Sequence, residues 1–214
     1  CASEQAAIVD TEHYKEFIEL MKKHHVYFVN KEEKAKLEEL VFGAKANSKN
    51  CAGAKLNAQV VGKSAEHIAE LAGFEVPKGT VILAAEVKEV GENEPLTREK
   101  LSPILAVLKS ISTEDGIEKS RQMVEFNGLG HSAAVHTQDE EVAEQFGKAV
   151  PACRILWNSP STFGGIGDIY NALIPSLTLG CGSYGGNSVS GNIGAVNLLN
   201  YKIIGDSFSR VRGS

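Results

Sequence analysis

The chain has 214 residues, a formal net charge of -5 at pH 7 and 43% apolar residues. This length and composition predict a globular protein with one sizeable core. Acidic and basic residues are interspersed, and no Lys/Arg cluster could neutralise a run of phosphates, which argues against a nucleic-acid partner. No apolar run is long enough to cross a membrane and no secretory signal is recognisable, so we expect a cytoplasmic protein.

The cysteines are widely spaced and include no C-x-x-C motif; they are Cys1, Cys51, Cys153 and Cys181. This spacing favours free thiols over a zinc site or a disulfide framework, and no Cys/His or paired-carboxylate cluster predicts a metal. The small and polar residues after Cys1 leave its sulfur accessible. Cys1 is therefore either a nucleophile or a structural cysteine at which the sequence happens to start, and the residues alone leave both interpretations open.

The first part of the chain shows the start and stop signals of helices. Asn30 and Glu33 form a capping-box pattern, and Gly73 follows the last apolar residue of a short amphipathic stretch. The predicted elements are a strand at Ala6–Val9, a helix capped by Asp10 or Thr11 that ends near His24 and His25, a helix from Asn30 to Gly43, and a helix from Ser64 to Gly73.

From residue 80 the predicted order is strand, strand, helix, strand, helix, strand. The strands are Val81–Ala85, Ile104–Leu108, Ser132–His136 and Arg154–Trp157, and the helices are Thr113–Gly128 and Asp139–Phe146. Such alternation predicts an α/β fold with right-handed crossovers and a largely parallel sheet covered by helices. In such folds ligands are expected at the carboxyl ends of the strands.

The last third is rich in glycine, and we predict loops at Phe163–Gly167 and Gly180–Asn187. Gly180–Gly185 matches G-x-G-x-x-G, but the residues that follow are loop-like and offer no helix to receive a pyrophosphate, so we do not predict a dinucleotide fingerprint. The apolar segment Asn197–Ile204 predicts a final strand. A polar tail begins at Asp206, and Gly213-Ser214 resembles a vector remnant.

Two residues at loop positions are candidates for chemistry. His131 lies between a helix-ending glycine pair and a strand, where an imidazole could accept the proton of a nearby thiol. An ordinary surface or capping histidine accounts for the same pattern. Glu99 stands just before a buried strand, where its carboxylate could act as a base or bind ribose hydroxyls, although most exposed glutamates do neither.

Several blocks, in order along essentially the whole chain, resemble the aldehyde dehydrogenase superfamily, and most closely its CoA-acylating branch, found as the aldehyde half of bifunctional aldehyde/alcohol dehydrogenases. The blocks are Cys1–Gln5, Glu99–Pro103, Gly130–Ser132, Thr162–Asp168 and Gly180–Asn187. One departure is Leu101, which stands where many relatives carry Phe.

The resemblance implies a domain organisation. Residues 1–196 would form a three-layer αβα catalytic domain, residues 197–205 an oligomerisation strand that pairs across subunits of a homo-oligomer, and residues 206–214 a polar tail. The family's nucleotide-binding half precedes the nucleophile, so this chain resembles the catalytic half alone, inactive by itself. Whether an alcohol dehydrogenase domain follows in a parent protein is left open.

The resemblance also assigns roles. Cys1 would attack an aldehyde, and hydride transfer to NAD would leave a thioester that coenzyme A resolves; the reverse reaction reduces acyl-CoA. The backbone N–H of Cys1 would contribute to an oxyanion hole. His131 would be the general base for the CoA thiol, Glu99 would bind the nicotinamide ribose, and Phe163 and Gly165 would line the substrate and CoA channel.

Two other classes remain open from the sequence. An N-terminal-nucleophile amidohydrolase would use Cys1 as nucleophile and its own amine as base, although the parallel sheet predicted here differs from the antiparallel sheets of that fold. A non-catalytic assembly module would use the apolar last strand as an exposed edge.

Overall fold

Strands and helices alternate through the computed structural model, which describes residues 3–43, 55–176, 182–188, 191 and 193–205. The strands are β1 (Ala6–Asp10), β2 (Val26–Phe28), β3 (Ile82–Glu86), β4 (Ile104–Ser110), β5 (Gly130–Val135) and β6 (Ala152–Trp157). The helices are α1 (Tyr14–Lys23), α2 (Lys31–Phe42), α3 (Ala65–Ala72), α4 (Thr113–Asn127), α5 (Glu140–Ala149) and α6 (Ser161–Ile166). Short 3₁₀ helices lie at Pro95–Thr97, Asp168–Tyr170, Gly182–Gly185 and Ala195–Leu198.

Every strand pairing in the described chain is parallel. The larger sheet has the order β1-β4-β3-β2, with Ala6 opposite Ala106 and Leu83 opposite Ile104. The second sheet pairs β5 with β6 and places Ser132 opposite Arg154. Helix α4 contacts both β1 and β4 of the larger sheet and also contacts α5. The predicted α/β class is confirmed, with the parallel strands divided between two sheets.

The central strand β4 buries both of its faces. Leu105 and Val107 pack with Tyr14 of α1, whereas Ile104 packs with residues of α2 and α3 on the opposite face. Leu108 lies in a third cluster, against which α4 packs. Each fully buried aliphatic side chain stabilises the fold by roughly 1.5–3 kcal/mol. Helices therefore cover both faces of the sheet, as predicted.

Two predicted helix boundaries hold because local side chains satisfy the first backbone N–H groups. The side chain of Asn30 accepts hydrogen bonds from the amides of Glu32 and Glu33, and the Glu33 carboxylate accepts one from the Asn30 amide. Ser64 caps α3, and Gly73 ends it in the left-handed conformation at φ +77°. The sequence patterns for α2 and α3 are therefore confirmed.

The start of α1 was predicted wrongly. Its N-cap is His13, which makes no side-chain capping bond, because Asp10 still belongs to β1 and Thr11 bonds the end of β4. Both the amide and the hydroxyl of Thr11 donate to the carbonyl of Ser110. The Thr11 side chain therefore bonds the end of β4 and does not cap α1.

The region after Ser159 contains the short helix α6 where a loop was predicted. Two glycines in a six-residue segment disfavour a helix by propensity. Here, however, the backbone N–H of Ser161 donates to the Glu4 carboxylate at 2.7 Å. This contact from the start of the chain satisfies a helix N-terminal donor that would otherwise be unpaired.

The C-terminal strand predicted at Asn197–Ile204 does not form within this chain. Ala195–Leu198 is a 3₁₀ helix, and the following residues through Gly205 are exposed and pair with no strand of the described ranges. Leu199 is nevertheless extended, with φ -75° and ψ 132°. Pairing across subunits needs a second chain, so it stays a prediction, and the predicted tail, residues 206–214, lies outside the described residues.

Candidate active site

The predicted nucleophile, Cys1, lies outside the described residues, and the site is built outward from the residues next to it. Ser3, Glu4 and Gln5 lead directly into β1. Glu4 contacts the start of α6 and Gln5 contacts the segment before β4. The chain that follows Cys1 is therefore fixed to two separate parts of the fold.

Glu99 lies in the connection between the 3₁₀ helix Pro95–Thr97 and β4, and its side chain is half-buried. Within the described ranges no residue donates a hydrogen bond to its carboxylate, so both oxygens can accept bonds from hydroxyl groups of a ligand. The nicotinamide ribose that Glu99 is predicted to bind offers such hydroxyls. The hydrogen-bond acceptors of this carboxylate therefore fit the ribose hydroxyls.

Lys100, next to Glu99, is fully buried. Its Nζ donates to three carbonyl oxygens, those of Leu96, Arg98 and Gln5, at 2.6, 2.7 and 2.9 Å. Its backbone N–H donates to Oε1 of Gln5 at 2.8 Å. Burial lowers the pKa of Lys100 to about 7, and the Glu99 carboxylate acts in the opposite direction.

Leu101, the next residue, adopts φ +49°, a left-handed backbone conformation that favours glycine. Its carbonyl accepts a hydrogen bond from the Gly62 amide at 3.0 Å. A branched side chain in this conformation is strained, and such strain persists where surrounding contacts impose it. The segment of residues 99–101 is therefore held in one conformation by contacts with other parts of the chain.

His131 is half-buried at the start of β5, directly after Gly130, whose φ of +87° is a conformation that other residues rarely adopt. Its Nδ1 lies 2.7 Å from Oγ of Ser132. Burial lowers the pKa of His131, Arg154 on the neighbouring strand acts in the same direction, and the Glu99 carboxylate opposes both. The imidazole is therefore neutral at pH 7, the state in which it can accept a proton.

A chain of polar contacts joins His131 to the residues that follow Cys1. The hydroxyl of Ser132 lies 3.4 Å from that of Ser161, and the Ser161 backbone N–H donates to Glu4. The motif Gly130–Ser132 contains Ser132, but the sequence predicts no role for this residue. It does not predict a role for Ser161 either. Neither contact has a sequence signature, because Ser132 and Ser161 are 29 positions apart and Glu4 and Ser161 are 157 positions apart.

Phe163 and Gly165 lie on α6. Phe163 is half-exposed and its ring stacks on that of Tyr170, with centroids 5.0 Å apart. Gly165 is buried, yet a Cβ added there would meet no heavy atom within 4 Å. By contrast, a Cβ at Gly164 would overlap Oγ of Ser159. Phe163 therefore offers an aromatic surface beside a small residue, but the predicted channel stays a prediction.

Two candidate residues lie at the amino ends of parallel strands: Glu99 precedes β4, and His131 is the second residue of β5. Cys1, which precedes β1 in the sequence, lies outside the described residues. The general rule for parallel sheets, which we applied to the sequence, places ligands at the opposite ends. The motifs and the general rule thus predict sites at opposite ends of the strands. The observed polar contacts connect residues at the amino ends, where the motifs lie.

A surface groove of about 330 Å³ beside α3 is lined by Glu66, Glu70 and Glu75 with a single cation, Lys78. This excess of carboxylates repels anionic groups such as phosphates. No cluster of three or more His, Cys, Asp or Glu side chains that could hold a metal occurs among the described residues, and none of their helices is long and apolar enough to span a membrane.

The fold, with parallel sheets covered by helices, is similar to that of acylating aldehyde dehydrogenases. An acetylating aldehyde dehydrogenase from Geobacillus thermoglucosidasius matches 97% of the chain with a TM-score of 0.83 and 38% identity, over 45% of its own length. The resemblance stated from the sequence is confirmed at the level of the fold.

Two sequence relatives are aldehyde-alcohol dehydrogenases. The chain is 73% identical to an aldehyde-alcohol dehydrogenase of Streptococcus pneumoniae over 96% of its own length. It is 56% identical to aldehyde-alcohol dehydrogenase 2 of Entamoeba histolytica, also over 96%. The chain spans about 23% of the first relative and 24% of the second. No family model matches the sequence.

Proposed function

We propose that this chain supplies the nucleophile and the general base of a CoA-acylating aldehyde dehydrogenase. The observation that carries the proposal is the half-buried, neutral His131, joined by polar contacts to the segment that follows Cys1 and within electrostatic range of Glu99. The similarity of nearly the whole chain to aldehyde-alcohol dehydrogenases supports the same reaction class. The substrates are a small aldehyde and coenzyme A.

In the proposed reaction the Cys1 thiolate adds to the aldehyde carbonyl and forms a thiohemiacetal. NAD, when bound, accepts the hydride that this adduct must lose to become a thioester. The thiol of coenzyme A then displaces Cys1, so that the acyl group leaves as acyl-CoA and the cysteine sulfur is regenerated. Removal of the CoA thiol proton in this second step requires a base.

His131 has the properties of that base. Its pKa is lowered by burial, so the imidazole is unprotonated at neutral pH. The contact between Nδ1 and Ser132 occupies one ring nitrogen. When Nδ1 carries the hydrogen and donates it to Ser132, Nε2 holds the free lone pair that takes up the proton.

Glu99 is proposed to bind the nicotinamide ribose through its carboxylate, which no described residue engages by a hydrogen bond. Phe163 and Gly165 are proposed to line the channel for aldehyde and CoA, with the exposed part of the Phe163 ring as an apolar wall. The choice of NAD over NADP rests on the family resemblance alone.

The proposal extends to the surroundings of the site. The names of two relatives, both aldehyde-alcohol dehydrogenases, support a parent protein in which this chain is joined to an alcohol dehydrogenase domain. The family resemblance adds a nucleotide-binding half. We also propose that the protein associates into a homo-oligomer through residues 197–205. We propose a cytoplasmic location for it. The parallel sheets disfavour the amidohydrolase alternative, whose fold is antiparallel.

The test is to replace His131 by Ala in the natural protein that contains this sequence. We expect acyl transfer to CoA to fall by about 10²- to 10⁴-fold, the usual contribution of a general base, while the first turnover still releases NADH as Cys1 becomes acylated. Stopped-flow NADH formation followed by CoA addition separates the two steps. His136→Ala, an exposed histidine beyond the end of β5, is the matched control. Equal loss of both steps, or none, would contradict the assignment.

A second test addresses the chain by itself. Because it spans about 23% of the length of its Streptococcus pneumoniae relative, we expect the isolated 214-residue chain to show no CoA-dependent formation of NADH from acetaldehyde. Spectrophotometric assay of NADH, with the natural protein as positive control, decides this. Turnover by the isolated chain would show that these residues alone bind the cofactor.

A further inference from the structure

The fully buried Lys100 is the least expected side chain of the core. Its amine lies among backbone carbonyls, and no carboxylate of the described chain is within ion-pairing distance. Moving an ammonium group out of water opposes folding even when its hydrogen bonds are satisfied. Because this chain alone buries the amine completely, additional parts of a longer protein could not relieve that penalty. The contacts of the amine are therefore the place to look for its role.

The three acceptors of Lys100 belong to two separate segments of the chain. Two of the three carbonyls, those of Leu96 and Arg98, belong to the turn that leads to Glu99. The third belongs to Gln5, which is 95 positions away in the sequence and lies in the block that contains Cys1. One amine thus bonds both the segment of the predicted nucleophile and the segment of the predicted ribose-binding carboxylate.

A second bond between the same residues makes the connection rigid. The backbone N–H of Lys100 donates to the side chain of Gln5, while the Lys100 amine donates to the backbone carbonyl of Gln5. Two bonds between two residues restrict rotation as well as distance. The neighbouring carbonyl of Leu101, held by Gly62, keeps the backbone of residues 99–101 in its strained conformation.

We propose that Lys100 is a positioning residue that holds residues 3–5 against the segment carrying Glu99 and so sets the separation between nucleophile and cofactor. This inference rests on the proposed function for its catalytic consequence. Hydride transfer requires the Cys1 adduct and the nicotinamide to be aligned, whereas attack of Cys1 on an activated ester needs no cofactor. Loss of the amine therefore slows the first of these steps selectively.

The test compares Lys100→Met with Lys34→Met in the natural protein. Lys34 is also largely buried and bonds Glu94 beside the same turn, but it has no contact with residues 3–5. We expect Lys100→Met to lower the single-turnover rate of NADH formation by about 10- to 100-fold, as displacements near 1 Å do. Its acylation by p-nitrophenyl acetate should change by less than about twofold, because that reaction uses no aligned cofactor. Lys34→Met should affect both reactions in equal proportion.

A readout that does not depend on activity accompanies the assay. Hydrogen exchange followed by mass spectrometry should show the amides of residues 3–8 exchanging about tenfold faster in Lys100→Met, the equivalent of one lost hydrogen bond, and unchanged in Lys34→Met. Should Lys100→Met fail to fold, Gln5→Leu removes the side-chain acceptor while leaving the amine, and the same pattern is expected of it.

The outcomes are distinguishable. Unchanged exchange at residues 3–8, or equal loss of NADH formation and ester acylation, overturns the positioning role even if wild-type protein converts aldehydes to acyl-CoA. If the wild type has no such activity, the proposed function fails, and the exchange data still decide whether Lys100 holds the two segments together.

Discussion

At the scale of single residues, the site depends on groups whose charge is altered by burial. His131 and Lys100 both have lowered pKa values, chiefly through loss of contact with water. For His131 the result is a neutral base at physiological pH. For Lys100 the result is an amine that titrates near neutrality while its carbonyl acceptors favour the protonated form, the only one that can donate three hydrogen bonds.

The lowered pKa of Lys100 predicts how stability changes with pH. Between about pH 7, its folded value, and 10.5, its ordinary value, the unfolded chain binds more protons than the folded chain. The contribution of this group to the free energy of unfolding therefore rises with pH across that window, by at most about 1.4 kcal/mol per pH unit. Below pH 7 both states are protonated and the contribution is constant.

Denaturant unfolding of wild type and Lys100→Met at several pH values measures this effect. The difference in unfolding free energy should shift in favour of wild type as the pH rises from neutrality. Lys34→Met serves as the control, since Lys34 is paired with the Glu94 carboxylate, whereas Lys100 bonds only carbonyl oxygens. A difference that stays flat with pH would show that Lys100 keeps its ordinary pKa.

At the scale of elements, tertiary contacts decide the structure where local propensity is weak. Helix α6 forms in a glycine-rich segment because Glu4 accepts the Ser161 amide and because Gly164 permits close approach of Ser159. Two adjacent glycines therefore have opposite roles. Gly164 is required by contact, whereas Gly165 has open space around its Cα within the described chain.

This difference yields a prediction for α6. Gly164→Ala should accelerate hydrogen exchange of residues 161–166, because the new Cβ overlaps the Ser159 hydroxyl and would have to displace it. Gly165→Ala should slow the same exchange by up to about fivefold, since alanine is favoured over glycine in a helix by about 1 kcal/mol. Hydrogen exchange read by mass spectrometry compares the two.

Gly165→Ala also tests the prediction that Gly165 lines the channel for coenzyme A. If Gly165 lines the path of coenzyme A, the added methyl group should raise the KM for CoA while leaving the first-turnover release of NADH unchanged. A KM equal to that of wild type would remove Gly165 from the channel.

At the scale of the whole molecule, the C-terminal segment stands out because its apolar side chains have no partner within the described chain. Ile203 and Ile204 are 95% and 92% exposed, and Leu199 is 59% exposed. We expect the double variant Leu199→Asp, Ile203→Asp of the natural protein to form a smaller oligomer, because charged side chains on an edge disfavour strand pairing.

Light scattering coupled to gel filtration measures the oligomer mass. Ile111→Asp is the control, since Ile111 is 84% exposed on the turn between β4 and α4, away from that segment. A mass unchanged by the double variant would mean that residues 197–205 do not hold subunits together.

The sequence by itself determined the elements whose signals are local. The capping box of α2, the caps of α3 and the alternation from residue 80 were all confirmed, because each depends on residues a few positions apart. Recognition of Cys1, Glu99 and His131 likewise rested on short blocks of sequence. Their catalytic roles stay predictions.

Only the tertiary structure decided which residues meet. The bonds between Lys100 and Gln5 and between Ser161 and Glu4 join positions 95 and 157 residues apart. No periodicity or motif encodes such contacts, and the same contacts overrode local preference at the start of α1 and in α6. The physical reason is that a polar group buried by folding must find a hydrogen-bond partner wherever the packed chain brings one.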